Sequence, residues 1–209
     1  VASRGLGDVY KRQRLALAKS LQKEVAGELT GLQMPDAGFD IELTPLAEPN
    51  SHGFDQVTFG LRTGSKAKIR PLGQGASGGE LSRIMLALEV TLAAKSLAKG
   101  TPTFIFDEVD AGIGGATALA VGQRLARLAK HAQVIVVTHL PQVAAWADKQ
   151  LVVSKNNDTA QVREVAGSER EREIARMLAG KADSKSALDH ARELINACSA
   201  VSYTHLTLP

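Results

Sequence analysis

From Arg14 onward apolar residues recur at intervals of three and four, through Ala18, Leu21, Val25, Leu29 and Leu32, with Lys19, Lys23, Glu24 and Glu28 between them. That period predicts an amphipathic helix ending near Gly31, before Met34-Pro35. Only about two heptads are visible, short of a coiled coil, so an ordinary amphipathic helix is the default and the end of a longer coiled coil the alternative. The period then falls to two. Residues 39–46 and 55–62 alternate apolar and polar, and the turn-rich stretch 47–53 between them predicts that they pair.

Helical spacing returns at Leu81, Ile84, Met85, Leu88 and Leu92. Next, Thr103-Phe104-Ile105-Phe106, entered through Pro102, reads as a short buried strand. A helix over about 116–130 carries Leu119, Gly122, Leu125 and Leu128 as core positions, and residues 133–139 form a second apolar strand stopped by Leu140-Pro141. Strand, helix and strand within about 35 residues make a βαβ unit, so the two strands should run parallel and bring His139 to the same edge as Asp107 and Glu108. A hairpin is predicted over 149–155 and 159–165, turning at Asn156-Asn157-Asp158. Two amphipathic helices follow over 169–178 and 184–198, with Ile174, Met177, Leu178, Leu188, Leu194 and Ile195 inward. Trp146 reads as a packing residue, and the run from Glu169 to Glu173 as a solvated, self-paired helix face.

Composition narrows this picture. The 209 residues, 44% hydrophobic and 22% charged, suffice for one domain with a sizeable core. No apolar run approaches the roughly 18 residues of a membrane span. Cys198 is the only cysteine, which excludes an internal disulfide and fits a reducing compartment. The five histidines show no metal-ligand spacing. Residues 5–13 and 201–209 look like translated adapter scars, so 1–13 and 201–209 are expected to lie outside the fold and the chain to be a fragment. Arg4, Lys11 and Arg12 against Asp8 carry two of the three net positive charges. The basicity is therefore no argument for nucleic-acid binding, and no basic patch with aromatic residues names a DNA structure.

Chemistry concentrates where the first apolar strand breaks into Asp107-Glu108-Val109-Asp110. A parallel strand delivers its last residues to the sheet edge where ligands bind. Mg²⁺ needs only one or two carboxylates beside phosphates and water, so Asp107 suits the ion with its water, and Glu108 suits orienting or deprotonating an attacking water. The alternative is a strand that simply ends in a solvated acidic turn. Upstream, Ser77 and Glu80 frame a capping box at the head of the helix that begins with Gly78-Gly79. A cap needs nothing more, but two glycines in the first turn cost about 1 kcal/mol each against alanine, and bare N–H groups at a positive helix end admit a phosphate. Asp110-Ala111-Gly112-Ile113-Gly114-Gly115 is either a plain connection or a backbone contact surface. His139, alone, is a structural residue; beside two acids it becomes a candidate γ-phosphate contact. The phosphate-loop pattern G-x-x-x-x-G-K-[ST] is absent: at Gly64-Ser65-Lys66 its first glycine would have to stand at Phe59.

In order and spacing, Ala76-Ser77-Gly78-Gly79-Glu80, Phe104-Ile105-Phe106-Asp107-Glu108, Asp110-Ala111-Gly112 and Thr138-His139 resemble the signature motif, Walker B strand, D-loop and switch histidine of ABC-type ATPases. Glu80, where transporters usually carry Gln, and Val109 point to the chromosome-maintenance and DNA-repair branch, which is SMC-like. The runs 77–83, 106–115 and 137–144, with Glu173-Ile174-Ala175-Arg176-Met177-Leu178-Ala179-Gly180, are similar to the RecN family of bacterial DNA repair proteins. The likeness covers roughly 14–200.

The resemblance implies an α/β fold: the C-terminal lobe of an ABC/SMC-type ATPase head over 36–200, a mostly parallel sheet flanked by helices, entered by residues 14–34 from a coiled-coil arm. It implies ATP and Mg²⁺ as cofactors and cytoplasmic, nucleoid-associated work in DNA repair and recombination. Asp107 becomes the magnesium-associated acid, Glu108 the catalytic base, and His139 the γ-phosphate sensor. Ser77, Gly78, Gly79 and Glu80 form the signature, which meets the partner head's nucleotide in trans, and Asp110 would sit at the seam of a head homodimer. Other implied partners are DNA and an N-terminal lobe carrying the Walker A loop, without which the fragment should be inactive. A non-enzymatic docking module, or a head of the condensin-like or break-repair ATPases, is the alternative.

Overall fold

The computed structural model describes residues 2–51, 53–63, 69–72, 77–93, 101–156, 159–180 and 184–204. Val1, His52, Gly64-Ser65-Lys66, residues 73–76, Asn157-Asp158 and residues 205–209 lie outside them. The chain divides into two compact units, Val1–Leu97 and Ala98–Pro209.

In the first unit α1 (Ala2–Gly31) is a single helix, begun well ahead of Arg14 because no proline interrupts the turns before it. Its second half carries the packing face: Val25, Leu29 and Leu32 are fully buried. It ends where Gln33 enters the left-handed region (φ 59°) and the Met34 N–H reaches back to the Leu29 carbonyl at 2.9 Å. β1 (Ala37–Asn50) and β2 (Gly53–Thr63) pair antiparallel, with Phe39 opposite Leu61 and both buried, and β3 (Arg70–Pro71) adds a short edge. Lys11 and Arg14 both reach the buried carboxylate of Asp55 on β2, at 3.5 and 3.9 Å. α2 (Gly78–Ala93) buries Ile84, Leu86, Ala87, Leu88 and Val90, while Met85 and Leu92 point outward.

The second unit contains the predicted βαβ element. β4 (Thr103–Phe106) and β5 (Gln133–Val136) are parallel, Thr103 opposite Gln133 through Phe106 opposite Val136, joined by α3 (Gly115–Ala129). This pair is the extent of parallel sheet among the described strands, so the expectation of a mostly parallel sheet is corrected. The other sheets are antiparallel, their strands following one another closely in sequence, and among the described strands only β4 and β5 are linked by a helical crossover. Nor is the pair buried on both faces: Ile105 is 71% exposed, with Ile135 and Val137 also outward.

After the short α4 (Pro141–Ala144) come the hairpin β6 (Gln150–Asn156) and β7 (Thr159–Val165), then α5 (Gly167–Ala179) and α6 (Lys185–Thr204). Ile174 and Ala175 of α5 pack with Ala187 and Ala191 of α6 and Ala144 of α4, and Met177, Leu188, Leu194 and Ile195 close around them. Leu119 and Leu178 are more exposed than their spacing predicts, because each stands at the border of its apolar stripe; Ala118 and Val121 take the central positions on α3. The charged run on α5 is self-paired only at Glu173, which accepts from Arg176 at 2.6 and 2.8 Å. Glu169 bonds Arg163, Glu171 bonds Arg192, and half-buried Arg170 donates to the carbonyls of Ala144, Ala145 and Ala147 at 3.3, 3.0 and 2.7 Å. Burial pulls the Arg170 guanidinium pKa down, against the raising effect of Asp148 and Cys198. Burial likewise pushes the Cys198 thiol up to about 11, so it is a packing residue rather than a reactive one.

Trp146, the single tryptophan, lies over Gly122 of α3, where an added Cβ would stand 2.2 Å from its Cδ1. Gly122→Ala should therefore lose stability. Helix propensity favours alanine by about 1 kcal/mol, but overpacking of this kind costs about 1–3 kcal/mol and the ring must move. A lowered melting temperature with a shifted Trp146 emission is the expected result; unchanged emission would remove the contact.

Candidate functional site

At the exit of β4 the strand does not continue into the acids. Asp107 and Glu108 lie in a bend, both exposed. Glu108 has φ 57°, the left-handed region that a non-glycine residue enters at a cost of about 1–2 kcal/mol. Two bonds hold it there: its N–H donates to Asp107 Oδ1 at 3.0 Å, and its carbonyl accepts the Ala111 N–H at 3.0 Å. Strain of this kind at an exposed acid is what functional turns retain. The turn then swings inward, fully burying Val109 and leaving Asp110 only 3% exposed.

The Asp110 carboxylate bonds within its own unit. Its Oδ2 accepts the Thr138 hydroxyl and the His139 N–H (3.3 Å), and stands 3.5 Å from His139 Nδ1. The bond from the Val137 N–H to the Phe106 carbonyl (3.0 Å) extends the β4–β5 pairing to this point. Asp107, Glu108 and His139 thus share one edge of the parallel pair, as the βαβ reading requires, and Asp110 ties the two strand exits together. Thr138 also accepts the Leu140 N–H at 3.0 Å, which closes the turn into α4. The His139 ring is largely exposed.

Asp107 fits the magnesium role by its chemistry. An exposed carboxylate at the mouth of this bend suits an ion that keeps most of its waters. Among the described residues no group of three or more His, Cys, Asp or Glu forms a cage for a metal. The arrangement suits Mg²⁺ brought by a phosphate rather than a structural metal.

The signature stretch belongs to the first unit. Ser77 N–H donates to Glu80 Oε2 at 3.0 Å, and Glu80 N–H donates to Ser77 Oγ at 3.3 Å, a complete capping box at the start of α2. The Leu81 N–H makes the first intrahelical bond, to the Ser77 carbonyl at 2.9 Å, so helix geometry gives the N–H groups of Gly78 and Gly79 no partner within the helix. Gly78 is exposed and Gly79 buried. Burial lowers the pKa of Arg83 one turn on, and the Glu80 carboxylate opposes that. Ala76, the first residue of the motif, lies outside the described residues.

No protein-family model matches the chain. Curated relatives do. Over 212 residues it is 49% identical to the DNA repair protein RecN of Mycobacterium leprae, covering 91% of this chain and 35% of that protein. It is 44% identical to RecN of Streptomyces coelicolor, covering 94% of this chain and 36% of that protein. Along nearly its whole length the chain is similar to RecN. It spans about a third of the length of the RecN proteins it matches. Among solved structures, the Smc head domain with a coiled coil and joint from Pyrococcus yayanosii superposes with a TM-score of 0.59 at 19% identity, over 82% of this chain and 32% of that one. A chain from work on ATP-driven dimerization and DNA stimulated activation of SMC ATPases gives 0.50 at 20% identity, over 82% and 97%. The RecN-like chain therefore has the α/β fold of an SMC head. No helix among its described residues is long and apolar enough to cross a membrane.

Sequence reasoning named every polar group at the β4–β5 edge but missed the bond between Asp110 and Thr138-His139. The partners lie 28 and 29 residues apart and meet only once the strands are paired. Arg170 was hidden for another reason: in a run of alternating charges nothing marks the one that turns inward.

Proposed function

We propose that this chain is the C-terminal lobe of the head of an SMC-like ATPase in DNA double-strand-break repair and recombination, working in the cytoplasm on the nucleoid. The observation that carries this is the parallel register of β4 and β5, which gathers Asp107, Glu108 and His139 at one sheet edge with Glu108 held in a left-handed turn. Likeness to RecN along nearly the whole chain supports the repair role. Asp107 holds Mg²⁺ through water, Glu108 orients and deprotonates the attacking water, and His139 meets the γ-phosphate. Bound Mg²⁺ supplies charge neutralisation on the phosphates. Ser77, Gly78 and Gly79 offer a hydroxyl and two N–H groups to the nucleotide of a second head, in a homodimer closed on ATP. DNA is the partner of the complete protein. Residues 14–34 belong to a coiled-coil arm, and the exposed Leu15 and Leu17 on α1 fit that role.

The Walker A loop is supplied by an N-terminal lobe, and the exposed apolar face of Ile105, Ile135 and Val137 suits such a cover. The same face favours a second reading, in which the chain is a docking module without catalysis. Measuring ATP turnover by the purified chain, alone and after adding a separately made Walker A lobe, separates the two. Activity confined to the mixture is expected. A mixture that binds but never turns over ATP would leave the docking module, and turnover by the chain alone would overturn the half-site.

A further inference from the structure

Asp110 has no role in the hydrolysis described above, yet it is the most buried carboxylate at the site and touches both strand exits. Three contacts of its side chain converge on one atom, Oδ2: the Thr138 hydroxyl, the His139 N–H at 3.3 Å and the His139 Nδ1 at 3.5 Å. An ionised carboxylate can only accept hydrogen bonds, so each of these groups is served best by presenting a proton. For the backbone and the hydroxyl that is automatic. For the ring it is a choice, because a neutral imidazole carries its proton on either nitrogen and the bond made by one decides what the other offers.

We propose that Asp110 is a positioning residue for His139: it holds the imidazole with its proton on Nδ1 and so reserves Nε2 as the nitrogen that meets substrate. Thr138 completes the clamp. Its hydroxyl gives its hydrogen to Asp110 and accepts the Leu140 N–H at 3.0 Å, which fixes the backbone on both sides of the histidine. The ring itself is 74% exposed, so packing does not orient it and the carboxylate must. The tautomer assignment stands on the geometry alone; its consequence for turnover rests on the ATPase reading above.

The test is ¹⁵N NMR of the full 209-residue chain with labelled histidine, His139 being assigned through the signals lost in His139→Gln. The wild-type ring should show a protonated Nδ1 and a bare Nε2 in its neutral form. Asp110→Ala should move the proton to Nε2, the form favoured in water, whereas Asp110→Asn, which keeps an acceptor oxygen, should retain it on Nδ1. A wild-type ring protonated at Nε2 overturns the proposal without recourse to any variant, as does an Asp110→Ala chain that is destabilised but leaves the ring unchanged.

In a protein of full RecN length, Asp110→Ala should lower kcat about tenfold with KM nearly constant, and Asp110→Asn should restore most of it. Should the tautomer be as stated while neither His139→Gln nor Asp110→Ala changes turnover, the ATPase assignment of His139 fails and the positioning role stands. Should His139→Gln abolish turnover while the wild-type proton sits on Nε2, the reverse holds.

Discussion

Glu108→Gln, placed in a protein of full RecN length, is expected to cut ATP turnover by tenfold or more and to leave nucleotide binding intact. A tenfold loss corresponds to about 1.4 kcal/mol of barrier, a modest demand on a residue that orients and deprotonates the attacking water. The substitution preserves size and hydrogen-bonding reach and removes only the basic oxygen. Glu108 and Asp107 are both exposed at the mouth of the bend, so no packing is lost with the charge. Backbone geometry provides a control. Because Glu108 sits at φ 57°, Glu108→Gly relieves the left-handed conformation and should melt no lower than the parent, while losing turnover as well. Inactivity in a variant at least as stable as the parent cannot be ascribed to unfolding. Single-turnover hydrolysis and equilibrium ATP binding on the same preparations are the measurements. Turnover unchanged in Glu108→Gln would remove Glu108 from the mechanism and return the β4 exit to a solvated acidic turn.

How much of this could be read from the chain depends on the range of the interaction. The capping box at Ser77 and Glu80 was legible because its parts lie three residues apart and the bonds follow from helix geometry. The β4–α3–β5 unit was legible because an apolar run, a helical repeat and a second apolar run leave one sensible topology. Two things were not. The left-handed turn at Glu108 lacks the glycine or asparagine that normally marks one, and it is enforced by bonds to Asp107 and Ala111. Burial by face was the other. A spacing of three and four marks a stripe but not its centre, so Leu119 and Leu178 were placed inside and are exposed. The apolar run of β4 and β5 predicted strands covered on both faces, whereas Ile105 and Ile135 face outward, and it is on that face that the split-head reading seats its missing lobe.

Ser77→Arg should abolish turnover in the complete protein while a single complete head still binds ATP. If the signature serves a nucleotide held by the opposite head, a bulky cation at Ser77 blocks closure of the two heads and leaves the nucleotide's own pocket untouched. The local structure requires a control here, because Ser77 is also the cap of α2. Its Oγ accepts the Glu80 N–H, and loss of such a cap costs about 1 kcal/mol of helix stability, within a range of 0.5–2. Ser77→Ala removes the cap without the bulk, and Ser77→Asn keeps a capping oxygen while removing the hydroxyl. Were capping the whole role, Ser77→Ala would fall with Ser77→Arg in both stability and turnover, and Ser77→Asn would be rescued in both. In the trans reading Ser77→Asn stays stable yet turns over slowly, because the hydroxyl and close access to the Gly78 and Gly79 N–H groups are what the opposing phosphate requires. ATP binding by isolated heads decides the remaining point. If Ser77→Arg also loses binding there, the signature contacts nucleotide within its own head, and an active site built from two heads has to be given up.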